Sequence, residues 1–111
     1  MAGRLEVTRG QIWLCRFAPP DKRRPVVVLS RASALRYLRT AIVAPISSTI
    51  HGVVTEVLIG EEHGMKGPSV VKLDLVQTVR QEELVKYVAT LPPEIVARVC
   101  GALSIATGCS G

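Results

Sequence analysis

No apolar run in these 111 residues approaches the roughly 18 residues of a membrane-spanning helix, and no membrane segment is expected. The opening stretch, MAGRLEVTRGQ, carries charge but no apolar block, so it does not read as a secretory signal. Cysteine is scarce. Cys15, Cys100 and Cys109 are odd in number, show no C-x-x-C spacing and have no histidine nearby. That pattern speaks against a disulfide framework and a zinc site, and for a reducing cytoplasm. Aromatic residues make up only 4% of the chain. The motifs GxGxxG, GxxxxGKS, HExxH and GxSxG are all missing, so neither a cofactor nor a metal is expected.

What is present is apolar and basic. Hydrophobic residues are 48% and charged residues 21%, enough for a packed core and too apolar for disorder. The length fits one domain over residues 1–111, with residues 1–8 read as a loose leader and 108–111 as a frayed tail. The formal charge of +5 is unevenly spread. Residues 1–50 hold nine basic and two acidic side chains, a balance of +7, whereas residues 51–111 hold five basic and seven acidic, a balance of −2. A cationic half of that strength suits a polyanion such as nucleic acid.

Short β-type runs recur between breakers. Residues 11–17 alternate, residues 26–29 are apolar on both faces as in a central strand, and residues 40–46, 55–59, 69–75 and 85–90 continue the series. Residues 31–39 read as irregular or one helical turn, and GEEHGMKGP as a loop. After Pro93 the period changes: Ile95, Val99, Ala102, Leu103 and Ala106 fall on one helical face, with Glu94 in the first turn and Gly108 as a stop. Five or six strands and a C-terminal helix predict a mainly β, mostly antiparallel small barrel.

Several residues carry candidate chemistry. In Lys22-Arg23-Arg24-Pro25 the proline forces Arg24 into extended backbone, leading into a stiff strand. A guanidinium there can hold a phosphate with a bidentate fork, or belong to a solvated basic turn. Lys72 and Asp74, read on one face of a strand, would stand about 6.6 Å apart, as phosphate ligand and acid/base or as a surface ion pair. Ser47 and Ser48 can donate to a phosphate oxygen or close a turn. His51 and His63 fall in loops without a surrounding motif, where an imidazole can serve as acid or base or simply be solvated. Trp13 and Tyr37 can stack on bases, although Trp13 alternates like a core or dimer-contact residue.

Taken together these segments resemble the MazF/PemK family of toxins. The resemblance is carried by Arg9-Gly10-Gln11-Ile12-Trp13, Arg23-Arg24-Pro25-Val26-Val27-Val28-Leu29 and Thr40-Ala41-Ile42-Val43-Ala44-Pro45-Ile46-Ser47-Ser48. Ser69-Val70-Val71, Gln77-Thr78-Val79 and Leu91-Pro92-Pro93-Glu94 extend it across residues 9–107. It implies an SH3-like barrel of the CcdB/MazF/PemK type that pairs into a homodimer. It further implies a metal-independent endoribonuclease cutting single-stranded mRNA at short sequences by 2′-OH attack, and neutralisation by a small acidic MazE-like antitoxin. By this resemblance Arg24, Ser47 and Asp74 are the catalytic set, as charge stabiliser, phosphate-orienting hydroxyl and base. Lys22, Arg23, Ser48 and Lys72 are the RNA-binding set, and the acid is unassigned, with donation by Arg24 through a hydrogen bond one candidate and His63 a distant one. The first inter-strand loop is short, Lys72 stands where the family's arginine is expected, and Ser47 where threonine is commoner. A sister family of this fold poisons DNA gyrase and cuts nothing, and a plain nucleic-acid-binding module is the third alternative.

Overall fold

The computed structural model describes residues 6–19 and 22–109. Residues 1–5 of the expected leader and 110–111 of the expected tail lie outside them, while Val7 packs into the core. The strands are β1 (Gln11–Arg16), β2 (Arg23–Val28), β3 (Thr40–Ser47), β4 (Glu56–Ile59), β5 (Ser69–Lys72), β6 (Gln77–Arg80) and β7 (Leu84–Thr90). The helices are α1 (Ala32–Tyr37) and α2 (Pro93–Thr107). All pairings are antiparallel, in the order β4-β5-β3-β2-β1-β7, with β6 on β3 as well.

β3 organises the sheet. One edge pairs with β2 through Val26↔Pro45 to Val28↔Val43. Along the other edge its first half pairs with β6, Thr40↔Arg80 to Val43↔Gln77, and its end pairs with β5 at Ile46↔Val71 and Ser47↔Val70. The sequence reading missed β6. Its four residues are largely exposed, so no in-out alternation marks them.

Both faces of the central strands are covered, as the unbroken apolar run at 26–29 implies. One face carries Ile12, Val27, Ala44, Ile46, Val71 and Leu73 under Ile95, Val99 and Ala102 of α2. The other carries Trp13, Cys15, Val26, Val28 and Val43 with Leu35 of α1. Cys15 is fully enclosed there; burial, reinforced by the Glu83 carboxylate, pushes its thiol up to about 11, so it is an inert core group. α2 starts with Pro93 behind Pro92 and ends on Gly108 in the left-handed conformation, as its sequence signals predict.

The Arg9–Trp13 segment is a structural clasp. Gln11 Oε1 accepts from Thr8 N at 2.8 Å and from Trp13 Nε1 at 2.9 Å, and Arg9 Nε donates to Leu29 O at 3.1 Å. Trp13 is therefore a core residue, edge-on to Tyr87 with ring centres 6.0 Å apart. Gly10 has φ +89°, and a Cβ there would lie 2.8 Å from Val96 Cγ2 of α2. Gly10→Ala should cost roughly 2–4 kcal/mol, from the left-handed backbone and from overpacking against α2. Gly101 sits mid-helix with open space around it, so Gly101→Ala should stabilise by about 0.5–1 kcal/mol. Urea midpoints should move in opposite directions for the two variants with the slope unchanged.

Candidate functional site

The strand register builds the site. Ser47 is the last residue of β3, and its Oγ accepts the N–H of Thr49 at 3.0 Å, turning the chain out of the sheet while the hydroxyl keeps its proton as a donor. Arg24, exposed on β2 opposite Cys15, reaches the same end of the sheet, because the β2–β3 register runs from Val26↔Pro45 toward Arg24 and Ser47. Arg24, Ser47 and Ser48 line one groove of about 1240 Å³, together with Lys66, Lys86 and Tyr87. Three cations and no carboxylate stand among its described lining residues, which suits a polyanionic strand.

Across β5 the chemistry changes sign. Ser47 pairs with Val70, so Lys72, two residues on, lies on the same face, and it pairs in turn with Glu56 of β4. The Lys72 Nζ to Glu56 Oε2 distance is 2.6 Å, with side-chain exposures of only 12% and 5%. Glu56 Oε1 also accepts the N–H groups of His51 and Gly52 at 3.0 and 2.9 Å. The Lys72 hydrogen bond first, then these two N–H groups, hold the Glu56 carboxyl at about 2 against the opposing effect of its burial. One carboxylate thus anchors both β5 and the 48–55 loop.

Asp74 is not on a strand. The chain leaves β5 at Lys72 and enters a short 3-10 turn, Leu73–Leu75, so the expected strand over 69–75 stops early. Leu73 turns into the core, whereas Leu75 is 56% exposed. Thr55 Oγ1 donates to Asp74 Oδ2 at 2.5 Å. Asp74, Lys72, Glu56, Thr55 and His51 share a second, smaller pocket of about 230 Å³ beside the 48–55 loop. The expected pair of free groups on one strand face is therefore corrected: Lys72 is matched by Glu56, and Asp74 is presented by a turn.

Of the other expected residues, Ser48 is on the groove, while Lys22 and Arg23 are exposed but outside its lining; Arg23 pairs with Arg16 of β1. His63 is tied into its own loop, its Nδ1 accepting Gly60 N at 3.2 Å. Tyr37, at 81% exposure, also stands apart from the groove. Sequence reasoning missed Lys66, Lys86, Tyr87 and Glu56. Lys86 and Tyr87 sit in the expected strand at 85–90, but only the β1–β7 register brings them beside Leu14 and the groove. No group of three or more His, Cys, Asp or Glu among the described residues is arranged to hold a metal ion.

Residues 8–107 match the family described as PemK-like, MazF-like toxin of type II toxin-antitoxin system. The chain belongs to this family. It is 41% identical over 105 residues to "Probable endoribonuclease MazF5" of Mycobacterium tuberculosis, covering 92% of this chain and 94% of the relative. The solved Mycobacterium tuberculosis toxin MazF-mt6 superposes with a TM-score of 0.83 at 30% identity, over 91% of this chain and 99% of that one. A MazE-MazF structure from Deinococcus radiodurans gives a TM-score of 0.82 at 25% identity, over 96% and 100%. The toxin is thus an endoribonuclease with the MazF-like fold, a mainly antiparallel sheet with a C-terminal helix. No helix among its described residues is long and apolar enough to cross a membrane.

The depressed Glu56 carboxyl makes a pH prediction for the toxin. A carboxylate held low in the fold stabilises it above the ordinary value of 4.5, and that stabilisation fades as pH falls toward about 2. The wild type should exceed Glu56→Gln in denaturation midpoint at pH 6, with the gap closing between pH 4.5 and pH 2. A gap independent of pH would remove the charge of Glu56 as its cause.

Proposed function

We propose that this toxin cleaves single-stranded mRNA at short specific sequences by attack of the ribose 2′-OH on the adjacent phosphorus. The observation that carries the reading is the cationic groove joining Arg24 and Ser47 at one sheet end, beside the pocket that holds Asp74, in a chain of an endoribonuclease family. Arg24 stabilises the charge that grows on the phosphoryl oxygens, since a guanidinium cannot deprotonate and offers a fork of donors. Ser47 orients one of those oxygens. Asp74, steadied by Thr55, accepts the 2′-OH proton. Lys66, Lys86 and Ser48 follow the backbone of the bound strand, with Arg23 and Lys22 contributing longer-range attraction. Lys72 acts through Glu56 rather than as a free phosphate ligand.

The products are a 2′,3′-cyclic phosphate and a 5′-OH. DNA is inert because it lacks the nucleophile. With charge supplied by Arg24 and proton transfer by side chains, the reaction proceeds without metal. The toxin works in the cytoplasm as a homodimer, its exposed apolar side chains covered across a two-fold axis. An acidic MazE-like antitoxin neutralises it, as the MazE-MazF assembly of the Deinococcus relative suggests for this fold.

Purified toxin with single-stranded RNA in EDTA should yield fragments ending in cyclic phosphate, and intact RNA would sink the reading. Arg24→Ala should slow cleavage on the order of 10²–10³-fold with the fold retained, the usual effect of removing one oxyanion-type donor. Arg24→Lys should recover only part, and Arg23→Ala should chiefly weaken binding. Light scattering at micromolar concentration should give twice the chain mass. RNA affinity should fall steeply from low to physiological salt.

A further inference from the structure

The proton balance of this reaction is incomplete with Arg24, Ser47 and Asp74 alone. A departing 5′-alkoxide needs a proton, and a guanidinium is far too weak an acid at neutral pH to supply it efficiently. Lys72 is nearly enclosed and paired with Glu56 at 2.6 Å. An imidazole, with an ordinary value near 6.5, has the acidity that general-acid catalysis at neutral pH favours.

The chain has two histidines, and the fold treats them differently. His63 spends Nδ1 on the N–H of Gly60 within its own loop. His51 stands on the 48–55 loop, which leaves Ser47 at the groove and returns to Glu56 at the second pocket. Its backbone N–H is fixed by Glu56 Oε1 at 3.0 Å, so the residue is held in place without engaging the ring in that bond. The ring is 64% exposed, with Nδ1 3.8 Å from Glu56 Oε2. The charged groups around it are Glu56 of β4, Lys72 of β5 and Asp74 of the turn after β5, and the first two neutralise each other.

We propose that His51 is the general acid of RNA cleavage, paired with Asp74 as base across the pocket they share. This rests on the RNA-cleavage reading above. The 2′-oxygen bonds to phosphorus as its proton passes to Asp74. The P–O5′ bond breaks as O5′ takes the imidazolium proton. His51 is left neutral and Asp74 protonated, and exchange with water restores both. Glu56 is a positioning residue for His51, through the bond from the His51 backbone N–H to its Oε1.

The test uses a short oligoribonucleotide spanning a site mapped with the wild-type toxin, in two versions. One has the natural 5′-oxygen at the scissile bond; the other has a bridging 5′-sulfur, whose thiolate leaves without a proton. His51→Gln should cut the natural RNA on the order of 10²–10³-fold more slowly, with the alkaline limb of the kcat profile flattened. On the 5′-thio RNA it should run within about 3-fold of wild type, because no acid is needed there. Asp74→Asn should be slow on both. An active wild type matched by His51→Gln on natural RNA overturns the assignment alone. So does a variant equally slow on both substrates, which would make His51 a binding or structural residue. A wild type that leaves both RNAs intact overturns the cleavage reading, and the assignment with it.

Discussion

The antiparallel pairing of β3 with three partners is the constraint on which the rest of this molecule depends. β2 occupies one edge, and β6 and β5 divide the other. Because side chains alternate along a strand, fixing β3 in this register assigns every neighbour to a face. Val27, Ala44, Ile46 and Val71 go to the core under α2, and Val26, Val28 and Val43 to the core beside α1. The same register carries Ser47 to the sheet end that Arg24 reaches and sets Lys72 beyond it against Glu56. A slip of one residue would invert both cores and scatter the site together, so packing and chemistry are held by one set of ladder bonds.

Enclosing the Glu56 charge is tolerable because every observed partner is a donor. Lys72 supplies the countercharge and two loop N–H groups fill the other oxygen. A buried pair of this kind contributes little net stability against apolar residues of equal size, yet losing one partner strands the other charge. Its value here is geometric. The loop that carries Ser48 and Thr49 past the groove is tied to a strand at its far end, at His51 and Gly52, and Thr55 is tied to Asp74 at its foot.

Local signals were legible in the sequence where one residue type has one physical use. Prolines, the Glu94 dipole charge, the apolar stripe and Gly108 defined α2, and the doubly apolar 26–29 run defined the central strand. Arg24 and Ser47 emerged because proline and strand ends constrain them. β6 stayed hidden, since four mostly exposed residues owe their conformation to pairing with β3 rather than to any pattern of their own. Asp74 was misplaced for a related reason: Val71, Leu73 and Leu75 alternate as a strand would, but β5 ends at Lys72, and the turn that follows is tied to Thr55. Lys66, Lys86 and Glu56 acquire meaning only from cross-strand neighbours, which a linear reading does not contain.

An apparent conflict remains in placing carboxylates beside a site for a polyanion, and the geometry resolves it. The groove proposed to receive the phosphates has cations from three separate segments, at Arg24, Lys66 and Lys86, and no described carboxylate in its lining. Both acids of the neighbourhood are confined to the smaller pocket. There Glu56 is cancelled by Lys72 at hydrogen-bond distance, so to a strand passing outside, the pair presents little net charge. Asp74 is different, because the donor it takes from Thr55 is a neutral hydroxyl. A phosphate would be repelled by such a group wherever it served only to bind. On the cleavage reading proposed above, its place in the pocket has a use for that carboxylate, the acceptance of a proton.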